Sequence, residues 1–205
     1  MTDERAKLFE NITMNGRMCY IFMCIERYLL ALYPDRDWTP AAKRMWDWTS
    51  VCWTCDEEFD RYIQLIPECI LEFDTYEAAN AEWYGKLDRK DYDELVALYK
   101  GITTGAEDDE INQVFLIPNK LWKECDGCYY DIERGRVNTL KYIGKIEEIL
   151  MSHDIPLPDV SLLNDYTISP ADPEVKHFGY YDRNRTDHNE WGFGKSGAPL
   201  SIILK

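Results

Sequence analysis

The sequence predicts a mainly α-helical protein, built as a single irregular bundle of about six to eight helices with a C-terminal arm packed on it. Three observations predict this class. Apolar residues recur at steps of three and four through the first three quarters of the chain. No alternation of apolar and polar residues is long enough to indicate a sheet. Of the 205 residues, 45% are apolar and 14% aromatic, which is enough for a substantial core.

The first helical segment is predicted from an apolar stripe near the N-terminus. We expect Gly16 to divide this segment and Pro34 to end it, because proline cannot continue a helix. The stripe consists of Leu8, Ile12, Cys19, Phe22, Ile25 and Leu29.

A second run begins at Thr39, which we predict to be an N-cap, with Pro40 at the first helical position. Pro67 must kink this run or restart it, and Asp56 offers a further start signal, so the sequence predicts two helices here. The apolar face consists of Met45, Trp48, Cys52, Cys55, Phe59 and Tyr62.

Three more helical stretches follow. We predict that Thr75 caps a short helix, that Gly101 stops the next one, and that Pro118 interrupts the third. Their apolar faces hold Tyr92, Leu95, Val96 and Tyr99, and then Ile111, Val114, Phe115 and Leu121.

The last predicted helix lies in residues 131–154, and the residue types change after position 152. Residues 153–205 are rich in proline, glycine and aromatic side chains, and disordered tails rarely carry so many aromatics. We therefore assign residues 1–152 to a helical domain and residues 153–205 to an arm packed on the same domain, as strand, helix or coil. The stripe of the last helix consists of Ile132, Leu140, Ile143, Ile146 and Leu150.

The net charge of −15, from 23 basic and 38 acidic residues, argues against binding to nucleic acid, because that affinity depends on basic groups that neutralise phosphates. It favours a basic protein or a metal cation as partner, or serves solubility alone. The most apolar run, residues 18–33, is too short for a membrane span and contains Glu26 and Arg27. The N-terminus lacks the pattern of a secretory signal, and seven cysteines indicate free thiols, so we expect a cytoplasmic protein.

Two C-x-x-C pairs, Cys52 with Cys55 and Cys125 with Cys128, admit three interpretations. They could hold a zinc ion, perform thiol chemistry, or fill the core. The pairs lie much further apart than the roughly 15–20 residues usual for a zinc site. Cys52 and Cys55 also fall well after a predicted helix start, where nothing would lower a thiol pKa. We favour buried thiols, which require no cofactor, with zinc as the alternative.

The segment 180–194 is the other candidate site, because an irregular segment with a histidine, carboxylates and aromatics is typical of binding or acid–base sites. The chain shows no H-x-H or H-E-x-x-H pattern, no complete phosphate loop and no nucleophile elbow, so no catalytic residue is predicted. The alternative is a solvated loop anchored by its tryptophan. The candidate residues are Asp182, Arg183, Arg185, Asp187, His188, Glu190 and Trp191.

These observations favour a non-enzyme, namely an acidic protein-binding module that recognises and neutralises a basic partner protein. A bacterial immunity protein against a cationic toxin is one instance, by analogy of size, charge and helical class. One alternative is a metal-dependent or thiol enzyme that uses the C-x-x-C pairs or residues 182–190. Another is a scaffold or regulatory subunit. The oligomeric state stays open. Candidate exposed anchors are Trp38, Trp46, Trp83 and Tyr84.

Overall fold

The computed structural model describes residues 1–51, 56–83, 86–125, 132–168, 192 and 195–205. These residues contain no strand, which confirms the predicted mainly helical class. Two 3₁₀ segments, Val160–Tyr166 and Ala198–Leu200, follow the α-helices. The α-helices are α1 (Asp3–Lys7), α2 (Met14–Leu32), α3 (Thr39–Thr49), α4 (Asp56–Ile63), α5 (Pro67–Leu71), α6 (Tyr76–Glu82), α7 (Arg89–Tyr99), α8 (Glu110–Cys125) and α9 (Ile132–Ser152).

Helix α2 is the centre of the bundle. Every residue from Met14 to Glu26 is buried, because α9, α3, α8 and the first 3₁₀ segment surround the helix. A helix that is enclosed on all sides needs apolar residues around its whole circumference, and this one is apolar nearly throughout. None of the described helices is both long and apolar enough to cross a membrane.

The first segment divides over residues 8–13, before Gly16, and not at Gly16 itself as the sequence predicted. Thr13 caps α2 and its hydroxyl accepts a hydrogen bond from the Gly16 amide at 3.1 Å. The buried guanidinium of Arg17 binds the carbonyl oxygens of Phe9, at 2.8 Å, and Ile12, at 3.1 Å, in the intervening turn. Because Arg17 satisfies these carbonyls, the turn between α1 and α2 forms without a glycine to break the helix.

The start of α3 also differs from the prediction. Thr39 lies inside the first turn, and the N-cap residue is Trp38, whose side chain forms no capping bond. The carboxylate of Asp37 instead accepts a hydrogen bond from the Thr39 amide at 3.0 Å. Pro67 begins α5 and thereby confirms the predicted restart.

Thr75 starts α6 and Gly101 stops α7 as predicted, whereas the prediction for Pro118 in α8 is wrong. Thr75 caps α6 by accepting from the Ala78 amide, and Gly101 follows α7 with a left-handed φ of 76°. Pro118, by contrast, does not interrupt α8, which continues through it to Cys125. The buried hydroxyl of Tyr62 donates to the Phe115 carbonyl at 2.6 Å, so packing holds the helix together in the turn before the proline.

The segment 195–205 packs against α2 and α3. The buried carboxylate of Glu26 accepts hydrogen bonds from the Ser201 hydroxyl at 2.5 Å and from the Ile202 amide at 2.7 Å. Asn15 donates to the Lys195 carbonyl at 3.0 Å. Residues 169–191 and 193–194 lie outside the described part, so the placement of the whole arm on the helical domain stays a prediction.

Two of the four predicted exposed anchors are core residues. Trp38 and Trp46 are each only 1% exposed, because both indoles find acceptors inside the bundle. Trp46 donates to Glu26 at 2.7 Å and Trp38 to the Tyr33 carbonyl at 3.0 Å. Trp83 is partly exposed, and Tyr84 lies outside the described residues.

Candidate functional site

A groove of about 580 Å³ opens where α4, α5, α8 and the end of α6 meet. We call it the aromatic groove, because four of the residues that line it are aromatic. Its lining consists of Phe59, Asp60, Ile63, Cys69, Glu72, Phe73, Glu82, Trp83, Lys86 and Trp122.

The aromatic wall of the groove is anchored in the core. Phe59 of α4 and Trp122 of α8 stack with their ring centroids 3.9 Å apart and their planes at 29°. Phe59 also contacts the buried Trp48 at 5.6 Å. Since both stacked rings remain partly exposed, they offer a rigid aromatic surface to a partner.

Local contacts hold the helices around the groove in place. Asn112 of α8 accepts from the Glu68 amide at 3.0 Å and donates to the Glu68 carboxylate at 2.8 Å, which fixes the start of α5. The amide of Trp83 donates to the Ala79 carbonyl at 3.0 Å and closes the last turn of α6. This last bond fixes the backbone of Trp83, which lines the groove.

The charges at the groove are mostly negative. Asp60 pairs with the Lys86 ammonium at 2.8 Å. Glu72 and Glu82 are exposed and form no ion pair or hydrogen bond with any residue that the structure describes. Two carboxylates at this rim are therefore available to a cation from outside.

Cys69 carries the only thiol among the described residues that line the groove. Burial, reinforced by the negative charge of Glu68, raises the pKa of the Cys69 thiol to about 11. The thiol is protonated at neutral pH and is a weak nucleophile, because the thiolate is the reactive form. The groove is thus better suited to binding than to thiol chemistry.

Two indole N–H groups at the groove lack acceptors. The Nε1 atoms of Trp83 and Trp122 are buried, and no described residue accepts a hydrogen bond from either. A buried donor left without an acceptor costs about 1–3 kcal/mol. A water or ligand atom that accepts from these indoles would therefore stabilise the groove.

The sequence-predicted sites fall largely on other parts of the chain. Cys125 is buried at the end of α8, whereas Cys52, Cys55 and Cys128 lie outside the described residues, so the zinc alternative is not tested. Within the described ranges, no three histidine, cysteine or acidic side chains cluster as metal ligands. The predicted loop site also lies outside the described residues. It consists of Asp182, Arg183, Arg185, Asp187, His188, Glu190 and Trp191.

Three of the four described cysteines lie in the core. Cys19 and Cys24 are fully buried, and burial raises the pKa of both thiols. Cys125 is 1% exposed. The Cys19 and Cys24 thiols are inert because they are both protonated and inaccessible, and burial makes the Cys125 thiol inaccessible as well.

A second polar cluster joins α8 to the end of α9. The hydroxyl of Tyr28 donates to Glu110 at 2.9 Å, and His153 Nε2 lies 2.6 Å from the same carboxylate oxygen. Burial and the bond to Glu110 raise the pKa of the Tyr28 hydroxyl, which stays protonated. The cluster ties two helix ends together, and we assign it a structural role.

Sequence reasoning found only part of the groove. Trp83 is one of the predicted anchors and Phe59 lies on a predicted core stripe, whereas Trp122 was assigned to neither group. The signal that could have indicated Trp122 is its position directly beside the predicted core residue Leu121. Such a position lies at the edge of a helix stripe, where a ring can be half buried.

No protein-family model matches the chain, and neither the curated proteins nor the solved structures provide a significant match.

Proposed function

We propose that this chain is an acidic protein-binding module that recognises and neutralises a basic partner protein, with the aromatic groove as its main anchor site. The observation that carries the proposal is the combination, in one groove, of an aromatic wall with two unpaired carboxylates at the rim. Aromatic residues in a groove are typical hot spots, and surrounding charge selects a partner of opposite sign.

The use of arginine inside the molecule supports the same proposal. Arg17 and Arg44 are buried, so their charges contribute little to the surface. Arg5 pairs with Glu147, and Arg27 and Arg36 donate to backbone carbonyls of their own chain. Because these cations serve internal contacts while many carboxylates are exposed, the surface is dominated by negative charge.

A bacterial immunity protein that blocks a cationic toxin remains a concrete instance of this class. The toxin surface that such a protein must cover is basic, because the natural substrate of the toxin is a polyanion. A negative binding protein both attracts such a partner over a distance and occupies its anion-binding surface.

The experiment uses the full chain as bait in an extract of its source cells. Each captured protein is identified, produced separately and titrated by calorimetry. We expect a basic partner that binds at one-to-one stoichiometry. Its association rate, measured by stopped-flow mixing, should fall about tenfold or more between about 50 mM and about 500 mM NaCl. Capture of neutral or acidic proteins only, or a salt-independent association rate, would overturn the proposal.

A further inference from the structure

We infer that the aromatic groove binds an arginine side chain of the basic partner. This inference rests on the proposed function and specifies the chemical group that the groove accepts. It commits to a guanidinium that stacks on the Phe59–Trp122 pair and reaches the carboxylates of Glu72 and Glu82.

The charge and the shape of the groove both select a planar cation. A guanidinium is flat, weakly hydrated and able to stack on an aromatic face while its edge donates to carboxylates. An ammonium group is compact and strongly hydrated, so it gains less from a flat aromatic wall. The stacked rings and the two free carboxylates therefore fit arginine better than lysine.

The molecule already contains this arrangement at another place on its surface. The guanidinium of Arg89 lies over the Tyr76 ring, 4.3 Å from its centroid, and forms an ion pair with the neighbouring Glu77. One arginine is thus held by an aromatic face and a carboxylate together. The aromatic groove presents the same two groups, and no arginine is among the described residues that line it.

A cation also stands at one side of the groove. The Lys86 ammonium pairs with Asp60 at 2.8 Å and lowers the negative potential there. Removal of that charge should make the groove more attractive to an incoming cation. Lys86 therefore provides a variant whose effect has the opposite sign to the loss of a rim carboxylate.

The test uses three capped peptides of sequence (Gly-Arg)₃, (Gly-Lys)₃ and (Gly-citrulline)₃, titrated by calorimetry into the intact chain. We expect the arginine peptide to bind at least about threefold more tightly than the lysine peptide. The neutral citrulline peptide, which keeps the planar group without the charge, should not bind measurably.

Matched variants then locate the site. The double variant E72Q/E82Q should weaken arginine-peptide binding about tenfold, whereas E4Q/E10Q, which removes the same charge from exposed residues near the N-terminus, should change it less than about twofold. K86Q should tighten binding about threefold. Trp122→Leu should weaken it, and Trp122→Phe should retain most of the affinity because it keeps an aromatic ring.

The outcomes separate this inference from the proposed function. If a basic partner is captured but both double variants weaken the affinity for the arginine peptide equally, binding is by diffuse charge and the arginine site is overturned. Equal affinities for the arginine and lysine peptides would lead to the same conclusion. The same holds if the partner binds and the arginine peptide does not. If no basic protein is captured, the proposed function fails as well. Circular dichroism of each variant confirms that it is folded.

Discussion

Glu26 is fully buried on α2, and its carboxylate receives hydrogen bonds from Trp46, Ser201 and the Ile202 amide. A buried carboxylate is costly unless donors surround it. The Ser201 hydroxyl has a double role, because its oxygen also accepts from the amides of Ile203 and Leu204. Ser201 is therefore the residue on which the position of the C-terminal segment depends most.

We expect Ser201→Ala to lower the free energy of unfolding by about 1–3 kcal/mol, because it leaves Glu26 one donor short and removes the acceptor of two amides. Urea denaturation measures the change. Ser50→Ala is the matched control, since Ser50 is exposed and its hydroxyl forms no hydrogen bond with a described residue. Equal stability of the two variants would contradict the importance assigned to Ser201.

Two glycines differ in the space around them. A Cβ on Gly197 would lie 2.5 Å from the Cys19 sulfur and 2.7 Å from a carbon of Trp46, whereas a Cβ on Gly144 would meet nothing closer than 3.5 Å. We expect Gly197→Ala to destabilise the protein by about 1–3 kcal/mol through overpacking. Gly144→Ala, inside α9, should stabilise it by about 0.5–1 kcal/mol. Thermal unfolding checks both, and a neutral Gly197→Ala would refute the tight fit.

Helices α8 and α9 are joined by an ion pair that depends on pH. Partial burial raises the pKa of Glu124, but hydrogen bonds from Lys141 and Tyr142 outweigh it and lower the pKa overall. The Glu124 oxygens lie 2.7 Å from the Lys141 ammonium and 2.8 Å from the Tyr142 hydroxyl. A carboxyl with a lowered pKa stabilises the fold at neutral pH, and the contribution is lost as the pH falls through that lowered value.

We therefore expect Glu124→Gln to cost about 0.5 kcal/mol at pH 7, a small figure because the pair is largely exposed to solvent. The cost should shrink towards zero as the pH falls through the lowered pKa of Glu124, because the wild-type carboxyl then becomes protonated as well. Urea denaturation across this pH range gives the comparison. Glu148→Gln on α9, which removes an exposed carboxylate without a described ion pair, should show no such pH-dependent difference.

At the level of helices, local signals predicted boundaries well where the chain itself supplied the determinant. Thr75 caps α6 with its own hydroxyl, and Pro67 and Gly101 act through their own backbone restrictions. The errors at Gly16 and Pro118 have a different origin. Arg17 and Tyr62 reach distant carbonyls, and such tertiary hydrogen bonds leave no trace in a local window.

The candidate site was harder to predict for the same reason. Phe59, Trp83 and Trp122 come from three separate helical regions and meet only in the folded bundle. Trp46 illustrates the opposite error, because an amphipathic indole looks suitable for a surface until its buried acceptor on Glu26 is known. Composition indicated an acidic exterior, but the groove required the three-dimensional packing.

Over the whole molecule, the charge of −15 should make the fold sensitive to ionic strength. Excess charge of one sign repels itself in the compact state, and salt screens that repulsion. We expect the Tm to rise by about 3 °C between about 10 mM and about 150 mM NaCl, as calorimetry can determine. The E4Q/E10Q variant should respond less. A Tm that falls with added salt would show that attractive ion pairs dominate instead.

The bond between Glu26 and Ser201 spans 175 positions of the chain. During translation, at about 5–20 residues per second, Glu26 of the central helix is therefore synthesised roughly 9–35 s before the serine that completes its surroundings. In that interval a nascent chain holds an acidic group that lacks two of its later donors, so α2 cannot reach its final environment early. Folding of this protein should accordingly finish late, after the ribosome has made the last turn that covers α2 and α3.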